Sequence, residues 1–94
     1  DKNSGAVAAV HAGWKGISSD VIGSTFRAMN EAFGIQPADC VAAIGPCICG
    51  SCFEVGDDVM NAFKALGMGD GWRVDDAHVD LKTANKLLLI RAGV

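Results

Sequence analysis

No stretch of this 94-residue sequence carries the run of about twenty apolar residues that a membrane-spanning helix needs. The N-terminus also lacks the basic and apolar regions of a secretory signal. Excess positive charge is missing too. The formal net charge is −3, which gives no reason to expect nucleic acid or an anionic membrane as partner. There is no internal repeat and no low-complexity tract. An initiating methionine is absent as well: the chain opens on Asp1 and stops at Gly93-Val94, directly behind a helical pattern. Both ends read as cut edges, so the expectation is one partial domain over residues 1–94, truncated at both ends.

What is present is globular in kind. Half the residues are hydrophobic and 20% are charged, a composition that excludes disorder. Ninety-four residues suffice for one small domain, close to the size at which burying an adequate core becomes difficult. The four cysteines, at 40, 47, 49 and 52, are crowded into thirteen residues, a poor scaffold for stapling a domain. Reduced thiols in a cytoplasmic protein are the expectation.

Residues 6–11, Ala-Val-Ala-Ala-Val-His, form an apolar run bounded by Asn3-Ser4-Gly5 and Gly13, the pattern of a buried strand with His11 at its carboxyl end. Ser18-Ser19-Asp20 then offers caps for a helix whose face is Ile22, Phe26, Met29 and Phe33. Gly34 is placed to end it and Pro37 to prevent its resumption. Residues 41–44 read as a second buried strand, Cys47 to Ser51 as a loop, and Phe53-Glu54-Val55 as a brief extended piece. A second helix follows Gly56-Asp57-Asp58, with Met60, Ala62, Phe63 and Leu66 inward and Gly67 as terminator. The third spans about Asp80 to Ala92, with Asp80 as N-cap, Leu81, Ala84, Leu87 and Leu88 inward, and Gly93 as C-cap. Strands alternating with helices predict a mixed α and β fold. Two short strands leave open edges, so the missing strands would come from elsewhere in a parent chain.

Three segments carry chemistry. In His11-Ala12-Gly13-Trp14-Lys15-Gly16 a histidine ends an apolar run and two glycines follow. That arrangement lets an imidazole face a cleft, with Trp14 as apolar wall or stacking surface and Lys15 able to meet an anionic group. The alternative is a structural histidine bonded to a neighbouring loop and a tryptophan that plugs the core. Cys47-Ile48-Cys49-Gly50-Ser51-Cys52 has spacing that thiolate metal sites use, but a closed site needs a fourth ligand, and Cys40 or His78 would have to travel to supply it. Small buried residues in a tight loop are the reading preferred here, and no basic residue lies near enough to activate a thiol. Asp80 is explained by its cap, and Glu54 and Asp57 read as solvated loop carboxylates.

The first segment resembles the His-Ala-Gly-Trp-Arg-Gly signature of the laccase-domain family, also called multicopper polyphenol oxidase-like. Gly45-Pro46-Cys47-Ile48 through Phe53-Glu54-Val55-Gly56 is similar to that family's Gly-Pro-x-Ile and aromatic-Glu-Val-Gly stretches. Val79-Asp80-Leu81, with Asn85 and Ala92-Gly93-Val94, is similar to its downstream helix. The six-residue signature is specific, and the three motifs in order cover nearly the whole chain.

The resemblance implies an α+β fold of mixed β-sheets flanked by helices, layered α/β/β/α, of which only part is present. It implies that His11 is one of three protein ligands to a catalytic metal, usually zinc. The other two, a histidine and a cysteine, lie upstream of the signature in the family, and neither His78 nor the four cysteines align with them. The family has arginine where Lys15 stands, so a bidentate contact there loses its planar fork. The implied activities are purine nucleoside phosphorolysis and adenosine deamination, with copper-dependent phenol oxidation also described and some members linked to peptidoglycan-precursor editing. Three readings follow. The first is a zinc-dependent purine nucleoside enzyme, acting on nucleoside and phosphate, with His11 on the metal and Trp14 and Lys15 shaping the pocket. The second is a copper polyphenol oxidase. The third is a catalytically inactive fragment or interaction module, since one ligand alone holds metal weakly.

Overall fold

The computed structural model describes residues 1–94. Four α-helices form in chain order: α1 (Trp14–Ser18), α2 (Val21–Phe33), α3 (Asp57–Lys64) and α4 (Leu81–Ala92), with a 3-10 turn at Pro37–Asp39. The expected sheets are absent, which corrects the layered α/β/β/α reading: 44% of the chain is helical, and pairing is limited to isolated antiparallel bridges, Glu54 with His78 and Arg73 with Val79. Residues 6–11 and 41–44 do run as extended chain, but no backbone hydrogen bond joins them. Nor are they buried: Val7 is 91% exposed and Val41 77%. An apolar run specifies a strand only where a neighbour supplies the ladder, and in this structure none does.

Capping explains why two helices, α2 and α4, begin and end where the sequence places them. Asp80 Oδ1 accepts from the amides of Lys82 (3.0 Å) and Thr83 (3.3 Å), and its Oδ2 accepts from the Thr83 hydroxyl at 2.8 Å. These donors, the Thr83 hydroxyl first, hold the Asp80 carboxyl below its ordinary range. At the far end Gly93 takes the left-handed conformation, φ 108°. Asp20 caps α2 through the Gly23 amide at 3.2 Å, and Gly34 closes that helix at φ 69°.

Asp80→Ala is therefore expected to cost about 1 kcal/mol at neutral pH. Because the folded pKa is depressed, the contribution of Asp80 is present above its unfolded value of about 3.9 and is lost as pH falls through the lower folded value. Urea unfolding of both proteins at pH 7 and at pH 2.5 checks this: the difference between them narrows at the acid pH if the cap is ionic.

The core is thin, with 12 of 94 residues buried, so each large side chain in it carries a sizeable share of the packing. Ile17, Ile22, Val59, Met60, Phe63, Trp72, Val79, Leu81, Ala84 and Leu88 form one cluster. The short helix α1 lies against α2, α3 and α4, pinned by Ile17, which is wholly buried. Along α2 the apolar face leaves the core progressively: Ile22 is buried, Phe26 and Met29 half-buried, and Phe33 69% exposed.

Candidate functional site

His11 stands at the end of the extended segment, three residues before the first residue of α1. It is exposed, and its ring folds back over Gly13: a Cβ added there would come within 3.3 Å of His11 Nε2. The first glycine of the signature thus lets the imidazole lie on the backbone. At the second, Gly16, an added Cβ would stand 3.4 Å from the Val21 side chain and 3.6 Å from the His11 carbonyl, so α1 lies beside both the histidine segment and the start of α2. Trp14 is half-buried against the core cluster, and Lys15 Nζ sits 5.7 Å from the Trp14 ring centroid, with Lys15 itself exposed. The three are contiguous along the turn into α1, but of them only His11 lines the cleft beside it.

That cleft, open and of about 560 Å³, lies between the two extended segments and helices α2 and α4. His11, Phe26, Met29, Cys47, Leu81 and Asn85 are among its walls. Asn85 was passed over as a site residue on sequence grounds, although it falls in one of the motifs. It is 8% exposed, and its Nδ2 donates to the Leu81 carbonyl at 3.1 Å. Its Oδ1 is the one buried side-chain polar atom in the chain without a partner. A buried amide acceptor left so costs about 1–3 kcal/mol, so a donor brought to it would be stabilising. Nothing in sequence alone marks an unmet acceptor.

The donor chemistry fits one position of a metal shell. An exposed imidazole beside a cleft is a good ligand for zinc or copper, but no group of three or more His, Cys, Asp or Glu side chains gathers anywhere in the chain. His11 is the one candidate ligand at this cleft, and these residues alone do not complete a metal shell around it. His78 is engaged elsewhere: its Nδ1 lies 2.8 Å from Asp75 Oδ1, and its backbone bridges Glu54. The Ala77 amide first, and then His78, hold the Asp75 carboxyl below its ordinary range.

The cysteines depart from expectation. In place of small buried residues, Cys47, Cys49 and Cys52 are exposed, and all four thiols are free. The loop they occupy lies against the start of α4 rather than beneath a sheet.

Comparison with known proteins gives a consistent picture. The family model described as multi-copper polyphenol oxidoreductase laccase matches residues 1–94. The chain is 42% identical to a purine nucleoside phosphorylase of Deinococcus radiodurans, over 100% of this chain and 38% of that protein. It is 39% identical to a purine nucleoside phosphorylase of Bacteroides thetaiotaomicron, over 100% of this chain and 37% of that one. A third relative, adenosine deaminase RL5 from an unknown prokaryotic organism, is 40% identical over 100% of this chain and 38% of its own length. The chain thus spans less than two-fifths of the length of these relatives. No solved structure matches it. No helix is long and apolar enough to cross a membrane.

Proposed function

The chain belongs to the multi-copper polyphenol oxidoreductase laccase family, and on that premise we propose that it is part of a zinc-dependent, cytoplasmic purine nucleoside enzyme catalysing phosphorolysis and deamination. The observation that carries this reading is the exposed His11 imidazole, folded over Gly13 at the mouth of a cleft, within a signature shared by sequence and site. Relatives named purine nucleoside phosphorylase and adenosine deaminase support the substrate class.

In this reading His11 offers the lone pair of Nε2 as one of three protein ligands, the other two lying outside residues 1–94. When bound, zinc supplies a Lewis acid that lowers the pKa of water and polarises a leaving group. Trp14 presents an indole face for the purine, and Lys15 meets phosphate as a single positive charge without the bidentate fork of arginine. Asn85 Oδ1 accepts a hydrogen bond from a substrate N–H or O–H that reaches the cleft floor. Copper-dependent phenol oxidation is the second reading, favoured by the family's description. A lone mononuclear centre is poorly equipped for four-electron reduction of dioxygen, which ranks nucleoside chemistry first. The isolated 94 residues, with one ligand, are expected to be inactive.

The test is metal analysis of the full-length protein together with its turnover of adenosine, with and without phosphate. Stoichiometric zinc, free adenine with ribose 1-phosphate when phosphate is present, and inosine from water would support the proposal. Stoichiometric copper with phenol oxidation and no nucleoside turnover would replace it by the second reading.

A further inference from the structure

Away from the signature histidine, Cys49-Gly50-Ser51-Cys52 forms a tight turn. The amides of Cys52 and Phe53 both donate to the Cys49 carbonyl, at 3.0 and 3.1 Å. A turn closed in this way keeps its first and fourth α-carbons within about 7 Å, the span a disulfide bridges. Both thiols are exposed and unbridged, and the Cys49 sulfur lies 3.3 Å from the Ser51 hydroxyl. Gly50 seats the turn. A Cβ there would come within 2.8 Å of Val74 Cγ2 and 3.3 Å of Asp80 Cα, so only glycine lets the turn rest against the start of α4. No third ligand joins the pair, which rules out a closed tetrahedral zinc site in this arrangement. Two exposed thiols at the two ends of a seated turn are instead suited to exchanging with a disulfide.

We propose that Cys49 and Cys52 form a thiol–disulfide exchange site for small-molecule disulfides of the glutathione class, with Cys49 as the attacking thiol and Cys52 as the resolving one. The Cys49 thiolate attacks one sulfur of the disulfide. A mixed disulfide forms at Cys49, and the other half leaves as a thiolate that takes a proton from water. Cys52 then gives its proton to water and attacks Cys49 Sγ, closing the Cys49–Cys52 bond and releasing the second half as a thiol. Two protein thiols lose two electrons and two protons, and one external disulfide becomes two thiols.

The order follows from hydrogen bonding rather than from a nearby base. The Cys52 thiol and the Ser51 hydroxyl stabilise the Cys49 thiolate, holding Cys49 below the ordinary thiol value, while the same contact with Cys49 pushes Cys52 up. This site is independent of the nucleoside reading.

The experiment treats the full-length protein with oxidised glutathione at neutral pH, quenches with acid, alkylates the remaining thiols and fragments the span between Arg27 and Lys64. That span contains all four cysteines and no internal Lys or Arg, so fragmentation must place the bridge. A Cys49–Cys52 disulfide is expected in the native protein. In Cys52→Ser a lasting glutathione adduct is expected at Cys49, forming about tenfold faster than the adduct at Cys52 in Cys49→Ser. Exposed Cys47 serves as internal control. A bridge that pairs Cys40 or Cys47 with another thiol, an adduct at Cys49 no faster than at Cys47, or four thiols that stay reduced would each overturn the proposal.

Discussion

Replacing His11 by alanine in the full-length protein is expected to lower metal affinity and nucleoside turnover by more than about a hundredfold while leaving the fold intact. Loss of an outer-shell partner alone typically costs 10–100-fold in affinity or activity, and a direct ligand contributes more. The fold should tolerate the change because His11 is exposed and is not a member of the buried core cluster. Far-UV circular dichroism and Tm should therefore match those of the native protein, measured with metal removed from both. Metal content and turnover equal to the native protein's would take His11 out of the site. A variant that loses activity only because it unfolds would show it in the Tm.

Trp72→Ala is expected to destabilise the protein by about 3–5 kcal/mol. The side chain is wholly buried, meets Phe63 edge-on with ring centroids 5.4 Å apart, and donates from Nε1 to the Gly69 carbonyl at 2.6 Å. Alanine removes the largest side chain of a thin core and orphans that carbonyl. Against a typical domain stability of about 5–15 kcal/mol this is a large fraction. Trp72→Phe, which keeps an aromatic ring and loses the N–H donor, separates the terms: about 1–2 kcal/mol is expected for the missing hydrogen bond and altered fit. Urea midpoints at unchanged m-value measure both. A Trp72→Ala midpoint equal to the native one would mean that the cluster closes without the indole.

The helices legible in the sequence are those whose ends are written as side-chain chemistry. Asp20 with Gly34, and Asp80 with Gly93, mark α2 and α4 by caps whose partners lie within a few residues, and Gly67 follows α3 at φ 67°. Local signals fail where partners are remote. Residues 6–11 and 41–44 have strand composition, but a strand is a property of two segments, and no second segment pairs with either. The five-residue α1 contains Gly16 and a β-branched Ile17, a weak helix former by propensity. It exists because Ile17 is buried by tertiary contacts. Trp72 lies in Gly69-Asp70-Gly71-Trp72-Arg73, where glycine and charge conceal a core residue. His11 and Asn85 line the same cleft seventy-four residues apart in sequence, a proximity that no local pattern announces, and the orphaned Asn85 oxygen depends on a count of donors that only the folded structure provides.

The seating of α1 has a consequence for how this segment can change. Ile17 sits six residues beyond His11, and Gly16 between them lies beside the His11 carbonyl, which a Cβ added at Gly16 would meet at 3.6 Å. The place of the imidazole is therefore registered directly to the hydrophobic cluster, with no flexible loop to absorb error. Drift in the core and drift in the signature are not separable. A random-mutagenesis screen for lost activity would return apolar neighbours of Ile17 alongside the histidine itself, and a substitution that relieves packing strain there would be selectable as a gain of function.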